Sequence, residues 1–196
     1  DYMRNDRYGK GLDNEVFDWG SYGTAARLCD QTVAYTSSTT GKAFTSDAVV
    51  NTANSILANC KILLMGFRGI MPYQQGKYKL KIEHAGDDTD ITSTSTPSTI
   101  FSITNDHIVG GISLDGEHKN SKVNRIMVTY VDPGPDGESY QPNQVVFPTE
   151  GSAQDVAWLA EDDGKRLEKE IVLPTVTGRE QAIQYGEVFA RRSRTS

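Results

Sequence analysis

The fold of this chain is decided by the stretch Phe67–Glu83, whose sequence is FRGIMPYQQGKYKLKIE. Tyr78, Leu80 and Ile82 alternate with charged residues, the two-residue period of a strand with one face in a core and one in water. Gln74-Gln75-Gly76 supplies a turn before this strand, because glycine adopts positive φ without steric cost. The stretch predicts a β-hairpin placed directly after a helix. It carries no recognisable catalytic group, so we expect it to form a shaped surface.

The length and composition limit the classes of protein to consider. At 196 residues the chain can form one large domain or two small ones, with a core that needs no disulfide. Only 37% of the residues are hydrophobic, which indicates many turns and long surface loops. The net charge of −6 argues against a nucleic-acid partner, since nucleic acids bind basic faces. No apolar run approaches the ~20 residues of a membrane span, so we expect no membrane insertion by this segment.

Two helices are predicted in the first half of the chain. The first begins near Asp18, a good N-cap, and its inward face consists of Trp19, Tyr22, Ala26 and Cys29. The second begins at Ser46 or Asp47 and stops at Gly66, with an apolar stripe made by Val49, Ala53, Ile56, Leu57, Cys60, Leu63 and Leu64. Between these helices, Thr32–Thr36 and Ala43–Thr45 are expected to pair as a hairpin around a turn at 37–42.

The second half of the chain mixes strands with two further helices. Strands are predicted over Lys122–Val131, Val145–Phe147 and Leu167–Leu173. Ser152 caps a short helix, and the last helix begins with a capping box in which Glu180 reaches back to the N-cap Thr177. The inward residues of the last helix are Ala182, Ile183, Gly186, Phe189 and Ala190, and its basic end is formed by Arg191, Arg192 and Arg194. We predict an α+β fold, with mixed or antiparallel sheets and hairpins packed against three or four amphipathic helices.

The domain boundaries depend on a segment rich in serine, threonine and aspartate. Residues 85–99 are low in apolar content, which predicts a mobile loop. The loop separates a helix–hairpin–helix–hairpin subdomain over 1–84 from a second α+β segment over 100–196, in which Phe101 and Ile103 resume a strand. A single domain is the alternative.

The residues that commonly carry chemistry are scattered. His84, His107 and His118 have no spacing that places two ligands on one face, so we expect ordinary surface or turn histidines. Cys29 and Cys60 have no CxxC spacing and are expected to be buried free thiols. Motifs for a nucleophile elbow or a phosphate-binding loop are absent from the sequence. We therefore predict no catalytic residue, no cofactor and no metal ligand.

Neighbouring carboxylates leave alternatives open. Asp162-Asp163 and Asp87-Asp88 are expected to be solvated, although spacing alone cannot show whether such groups face each other across a cleft, as in glycosidases. Asp87, Asp88 and Asp90 could bind a cation through oxygen ligands. Their loop lacks the glycine and the distal glutamate of a calcium loop, so a solvated acidic turn is favoured.

Segments along almost the whole chain resemble one family, in the same order. Asp1–Leu12, with the sequence DYMRNDRYGKGL, resembles the "DYL-x-N-x-RYG-x-G" segment of the tip attachment protein J family of long, flexible-tailed phages. Later segments similar to the family pattern are Asp18-Trp19, Cys29-Asp30, Ile56–Cys60, Gly76–Leu80, Ile108–Ser113, Asn124–Tyr130, Leu173–Thr177 and Ala190–Arg194. Each motif is weak by itself, and their order makes the likeness specific.

The resemblance implies a tail-hub-like fold and a structural role. Members of the family form a trimeric hub that closes the distal end of the tail tube, so we expect a homo-oligomer, a trimer, in contact with other phage tail proteins. The expected location is the virion tail, and the host cytoplasm during assembly. The chain begins at Asp1 without an initiator methionine, so we expect an internal fragment of a longer protein. The resemblance carries over no catalytic residues.

Two other functions stay open. A receptor- or carbohydrate-binding module would need exposed aromatic residues, whereas the helix periodicities place Trp19 and Trp158 inward. Tyr2, Tyr8 and Tyr22 cluster near Trp19 in the sequence and are expected in a core or an interface. A cell-wall hydrolase would need two carboxylates about 5–10 Å apart across a cleft. We favour a virion structural protein that is not an enzyme.

Overall fold

The computed structural model describes residues 2–35, 39–83, 104–108, 110–111 and 122–194. Within this part of the chain the fold is α+β, as predicted. Its α-helices are α1 (Trp19–Asp30), α2 (Ile56–Met65), α3 (Ala153–Glu161) and α4 (Arg179–Arg192). Its strands are β1 (Thr32–Ala34), β2 (Thr40–Lys42), β3 (Gly69–Ile70), β4 (Tyr73–Gln74), β5 (Lys77–Tyr78), β6 (Lys81–Ile82), β7 (Arg125–Asp132), β8 (Gln141–Phe147) and β9 (Glu168–Leu173). Short 3₁₀ helices cover Tyr2–Arg4, Asn14–Val16 and Asn105–His107.

The C-terminal half is built on a three-stranded sheet in the order β8-β7-β9. β8 runs antiparallel to β7, and β9 runs parallel to it. The predicted strand Lys122–Val131 is confirmed as β7: Ile126, Val128 and Tyr130 alternate along it and are buried, and α4 packs across this face. Gly186 permits the close approach of α4, because a Cβ there would lie 3.1 Å from Val128 Cγ2. These elements enclose one hydrophobic core, here called the C-terminal core.

The N-terminal half has a second core, made by α1, the β1–β2 hairpin and β6. The hairpin in the stretch 67–83 is confirmed: β4 pairs with β5, and the turn residues Gln75 and Gly76 have φ angles of 53° and 77°. The pair β3–β6 continues the same hairpin on the side away from the turn. The β1–β2 hairpin also forms, but its returning strand is Thr40–Lys42 and not 43–45.

The second predicted helix begins at Ile56, eight or nine residues later than a helix capped by Ser46 or Asp47 would. Ser55 is its N-cap, and the Ser55 hydroxyl accepts a hydrogen bond from the Ala58 N–H at 3.2 Å. Val49, placed in the apolar stripe by its spacing, is 99% exposed. The Asn51 side chain accepts from the Ala53 N–H at 2.9 Å, a local bond that stabilises a turn in place of a helix. Gly66 does end the helix, as predicted.

The inward face of α1 is rotated from the predicted one. Ala25 and Leu28 are the buried residues, while Ala26 is exposed and Trp19 is 48% exposed. Both sets of residues have helical spacing, and only packing against the β1–β2 hairpin distinguishes them.

The prediction of a capping box for the last helix is also wrong. α4 has Gly178 at its N-cap, without a side-chain bond. The Thr177 hydroxyl donates instead to the Asp47 carboxylate at 2.7 Å, and Glu180 pairs with Arg179 at 3.1 Å. The long-range partner of Thr177 therefore replaces the local one. The predicted inward face of α4 is confirmed by the buried Ala182, Gly186 and Ala190.

Polar contacts connect the two halves. The Asp47 N–H donates to the Thr175 C=O at 2.9 Å, and Arg192 pairs with Glu83 at 2.7 Å. The predicted loop 85–99 and the strand at Phe101 and Ile103 lie outside the described residues.

Candidate functional site

Aromatic rings gather around Phe17 on one side of the N-terminal half. Phe17 and Tyr78 form a β-bridge, which brings the start of α1 against β5. Ring centroids of Trp19, Tyr22 and Tyr78 lie 5.6, 5.8 and 5.9 Å from that of Phe17. Phe17 is buried, whereas Trp19 is half-exposed. Of the predicted set, Trp19 and Tyr22 join this cluster, while Tyr2 and Tyr8 stack on each other with ring centroids 6.5 Å apart.

A shallow cavity of about 180 Å³ opens beside these rings, here called the aromatic cup. Its walls are mostly apolar and include Tyr2, Met3, Phe17, Trp19, Tyr22 and Met71. Asn59 Nδ2 donates to the Tyr2 hydroxyl at 2.8 Å and holds the N-terminal segment against α2. The Arg4 guanidinium lies 5.6 Å from the Trp19 ring centroid, a cation–π distance. The cup can bind an apolar or aromatic group, with Arg4 at its edge.

A second concavity of about 430 Å³ lies between α2 and β3 and is called the α2–β3 groove. Its apolar walls are Leu64, Met65, Ile70 and Met71, and Lys61, Arg68, Glu83 and Tyr185 add polar groups. Gly69 packs closely against its neighbours here, because a Cβ there would lie 2.3 Å from the Phe67 ring and 2.9 Å from Leu64 Cδ2. Leu64 and Met71 line both concavities, so the cup and the groove adjoin each other.

Arg68 is the unusual charged residue of this surface. Its φ angle is 55°, in the left-handed region, and its guanidinium lies 5.0 Å from the Phe44 ring centroid. Its Nε is buried and has no acceptor in the described part of the chain. Burial lowers the pKa of Arg68, and the Glu83 carboxylate opposes this shift. Arg68 therefore has hydrogen-bonding capacity that the described residues leave unused.

Of the carboxylate pair Asp162-Asp163, Asp163 is exposed as predicted, whereas Asp162 is buried in structural contacts and is not solvated. Asp162 lies 2.7 Å from Arg194 Nη1, 2.6 Å from Lys122 Nζ and 2.9 Å from Asn124 Nδ2. Burial raises its pKa, but the hydrogen bonds from these three donors outweigh burial and bring the pKa to about 2. A carboxyl that stays ionised is unsuited to donating a proton near neutral pH. Asp87, Asp88 and Asp90 lie outside the described residues.

The arginines at the end of α4, predicted to interact with the helix dipole, also form specific ion pairs. The Arg194 side chain is buried, pairs with Glu161 and Asp162, and lies 4.8 Å from the Trp158 ring centroid. Arg191 pairs with Glu187 at 2.8 Å. Trp158 is partly buried against the C-terminal core, as predicted, whereas Trp19 is not buried.

Of the histidines and cysteines considered in the sequence, the structure describes His107, Cys29 and Cys60. His107 is exposed in its 3₁₀ turn, where its Nδ1 accepts from the Thr104 N–H at 3.2 Å, and His84 and His118 lie outside the described residues. Cys29 and Cys60 are free thiols, as predicted. Burial, followed by the charge of Asp30, raises the pKa of Cys29 to about 11. Over the described ranges, no three histidine, cysteine, aspartate or glutamate side chains gather as metal ligands.

Sequence reasoning missed the α2–β3 groove. Ile70 and Met71 both line this groove and only Ile70 lies in β3, so the alternation of a strand gave no signal for it. No sequence signal identifies the unpaired Nε of Arg68, since its lack of an acceptor depends on contacts made in the folded state.

The comparisons with known proteins do not test the family resemblance of the sequence. No protein-family model matches this chain, and no curated protein matches it either. None of the helices in the described ranges combines the length and the apolar character needed to cross a bilayer. In the described part of the chain, the exposed features that stand out are thus the two adjoining apolar concavities and the half-exposed Trp19.

Proposed function

We propose that this chain is a structural module of a phage tail tip, and that it packs against copies of itself and neighbouring tail proteins. The observation that carries the proposal is the pair of adjoining apolar concavities, the cup and the groove, with Trp19, Met65 and Ile70 exposed along them. Contiguous exposed apolar surface marks interaction sites, and aromatic and methionine residues are enriched at protein interfaces. The family resemblance of the sequence motifs adds the kind of assembly.

In this proposal the protein works by contact and performs no reaction. A stable interface covers about 800 Å² on each partner, more than either concavity alone supplies. The cup and the groove, joined through Leu64 and Met71, form one extended contact surface. The expected assembly is a trimer in the virion tail, built in the host cytoplasm, with no cofactor and no metal.

The proposal is tested by sedimentation of a longer protein that includes flanking segments. We expect a trimer in the wild type, and a shift toward monomer in Ile70→Glu. Val172→Glu is the matched control, because Val172 on β9 is 53% exposed and Ile70 is 54% exposed, but only Ile70 lies in the groove. A longer protein that stays monomeric, or equal effects of the two substitutions, would count against the proposal. A map of the assembled tail tip gives the direct test of location.

A second candidate, a carbohydrate- or receptor-binding module, is favoured by the exposure of Trp19. Sugars stack on exposed aromatic rings, and Trp19 stands at the rim of the aromatic cup with Tyr22 5.6 Å away. The protein has two tryptophans, so Trp158→Phe isolates the Trp19 fluorescence. Saturable quenching by a saccharide in this variant supports the binding module. Unchanged fluorescence over a saccharide panel rejects it.

A further inference from the structure

We propose that the outer edge of strand β9 binds an extended segment of a different protein, in which basic residues alternate with apolar ones, and that this segment continues the sheet as an additional strand. The inference goes beyond the proposed function, because β9 lies outside the cup and the groove.

β9 stands at one end of the sheet β8-β7-β9. It pairs with β7 along its whole length, and in the described part of the chain no strand pairs with its other edge. The N–H and C=O groups of successive residues in a strand point to opposite sides, so every second residue of β9 directs both groups away from β7. Such an edge is a template for the addition of another strand.

The strand at the opposite end of the sheet is less suited to this pairing. β8 contains Pro142, and proline has no N–H to donate to an added strand. β9 contains neither proline nor glycine. The exposed residues of β9 are Glu168, Lys169, Glu170 and Val172. The edge that is open to backbone pairing is therefore that of β9.

Two carboxylates follow this edge on the face of the sheet opposite to α4. Glu168 lies 3.5 Å from Arg125 Nη1, and Glu170 accepts from the Thr129 hydroxyl at 3.0 Å. A carboxylate has about four acceptor sites, so both glutamates can accept further bonds. Opposite charges on neighbouring strands stabilise a sheet. Lysine or arginine side chains on the added strand are therefore expected opposite these glutamates.

The other face of the edge is apolar. Ile171 pairs with Val128 and shares the face that α4 covers, where Ile171 and Phe189 pack against the C-terminal core. Side chains of the added strand that alternate with its basic residues would lie beside Ile171. Apolar side chains there extend the core and are removed from water. The two faces together define a segment in which basic and apolar residues alternate.

The charges of β9 disfavour a second copy of this chain as the partner. Two antiparallel β9 strands related by a two-fold axis would place Glu168 and Glu170 of both copies on one face of the joined sheet. Like charges across neighbouring strands are destabilising, and charged residues protect edge strands from pairing with their own copies in this way. The same charges attract a basic segment, which favours a different chain.

Hexapeptides with blocked ends test the proposal on this chain. The lysine peptide, Lys-Val-Lys-Val-Lys-Val, should shift the backbone amide signals of β9 in an NMR titration and slow their hydrogen exchange. The glutamate peptide, with glutamate in place of each lysine, should bind about tenfold more weakly. A proline peptide, Lys-Val-Lys-Pro-Lys-Val, has the charge of the lysine peptide but lacks one backbone donor. It should also bind about tenfold more weakly, which separates strand pairing from charge attraction.

A charge reversal on β9 should reverse the preference. Glu170→Lys is expected to weaken binding of the lysine peptide about tenfold and to strengthen binding of the glutamate peptide. This gain of binding cannot result from misfolding. Glu15→Lys makes the same change in net charge at an exposed position of the N-terminal half, and it should leave both affinities unchanged.

Four results would overturn the proposal. They are a preference that survives Glu170→Lys, a proline peptide that binds as well as the lysine peptide, peptide shifts located away from β9, and β9 amides that all exchange slowly without peptide. The last result would mean that another segment of this chain covers the edge. Shifts of β9 that depend on protein concentration alone would assign the edge to a second copy, which also overturns the proposal.

The two proposals can fail separately. The peptides are tested on this chain at a surface outside the cup and the groove, so a failure there leaves the trimer prediction for the longer protein intact. Val172→Glu remains a control in the trimer test, because the partner proposed for β9 is a different chain.

Discussion

The side-chain amide of Gln181 pairs with both backbone groups of Thr45. Gln181 Oε1 accepts from the Thr45 N–H at 3.0 Å, and Nε2 donates to the Thr45 C=O at 3.1 Å. Nε2 also donates to the Gly66 C=O at 2.7 Å. Gln181 lies on α4 and is 2% exposed, whereas Thr45 and Gly66 belong to the N-terminal half. One buried amide thus connects the two halves of the protein.

Gln181→Leu is therefore expected to destabilise the protein strongly. The substitution leaves the buried Gly66 C=O and the partly buried N–H and C=O of Thr45 without their partner, which we expect to cost about 2–4 kcal/mol of unfolding free energy. Urea denaturation measures this loss. Gln184→Leu on the same helix is the control, and we expect it to change the stability by less than about 0.5 kcal/mol. Equal losses would show that the amide contacts are not the cause.

Any side chain at Gly66 is expected to destabilise the protein. A Cβ there would lie 2.5 Å from Thr175 Oγ1, so Gly66→Ala displaces a residue that joins the halves and is expected to cost about 1–3 kcal/mol. Gly23 in α1 is the matched control, because nothing lies within 4 Å of its Cβ position. Gly23→Ala is expected to raise the stability by about 0.5–1 kcal/mol, since alanine is the better helix former. Thermal unfolding of both variants checks the opposite signs.

The ion pair between Asp155 and Arg166 is expected to make the protein acid-sensitive. The hydrogen bond from Arg166, followed by the Gly151 N–H, lowers the pKa of the buried Asp155 to about 2 against burial. An unfolded aspartate has a pKa of about 3.9, so the folded state gains stability above that pH and loses it as the pH falls to about 2. The melting temperature should decrease across this window. In Asp155→Asn the decrease should be smaller, and a curve parallel to the wild type would contradict the assignment.

Cys29 is expected to react slowly with alkylating reagents. Its pKa of about 11 leaves little thiolate at pH 8, and the thiolate is the reactive form. In Cys60→Ser, we expect iodoacetamide to modify Cys29 about a hundredfold more slowly than a free cysteine, whose pKa is about 8.5. Mass spectrometry follows the modification with time. A rate equal to that of free cysteine would show that the thiol is exposed to solvent and contradict the prediction.

Several elements could be predicted because their signals are local. The alternation of Ile126, Val128 and Tyr130 identifies β7, and the cap at Ser152 identifies the start of α3, where its hydroxyl accepts from the Asp155 N–H at 3.2 Å. The turn at Gln75-Gly76 follows from glycine in the same way. These signals involve residues within a few positions of one another, and neighbours along the chain stay neighbours in the fold.

Other predictions failed where a distant residue competed with a local one. Thr177 has a glutamate three positions on, yet its hydroxyl bonds to Asp47, 130 positions away. Asn124 lies in a stretch predicted as strand, and its buried amide accepts from the Leu167 N–H and donates to the Lys165 C=O. A polar side chain satisfies whichever partner the packing brings near, because an unpaired buried group costs more than a lost local bond.

The amino-acid order alone therefore determined the types of the elements, the α+β class and the inward face of α4, since periods of two and 3.6 residues arise from the backbone of each segment. The rotation of α1, the exposure of Trp19 and the orphaned donor of Arg68 were set by the packing of segments far apart in the chain. Burial is a property of two surfaces that meet, and a single segment contains only one of them.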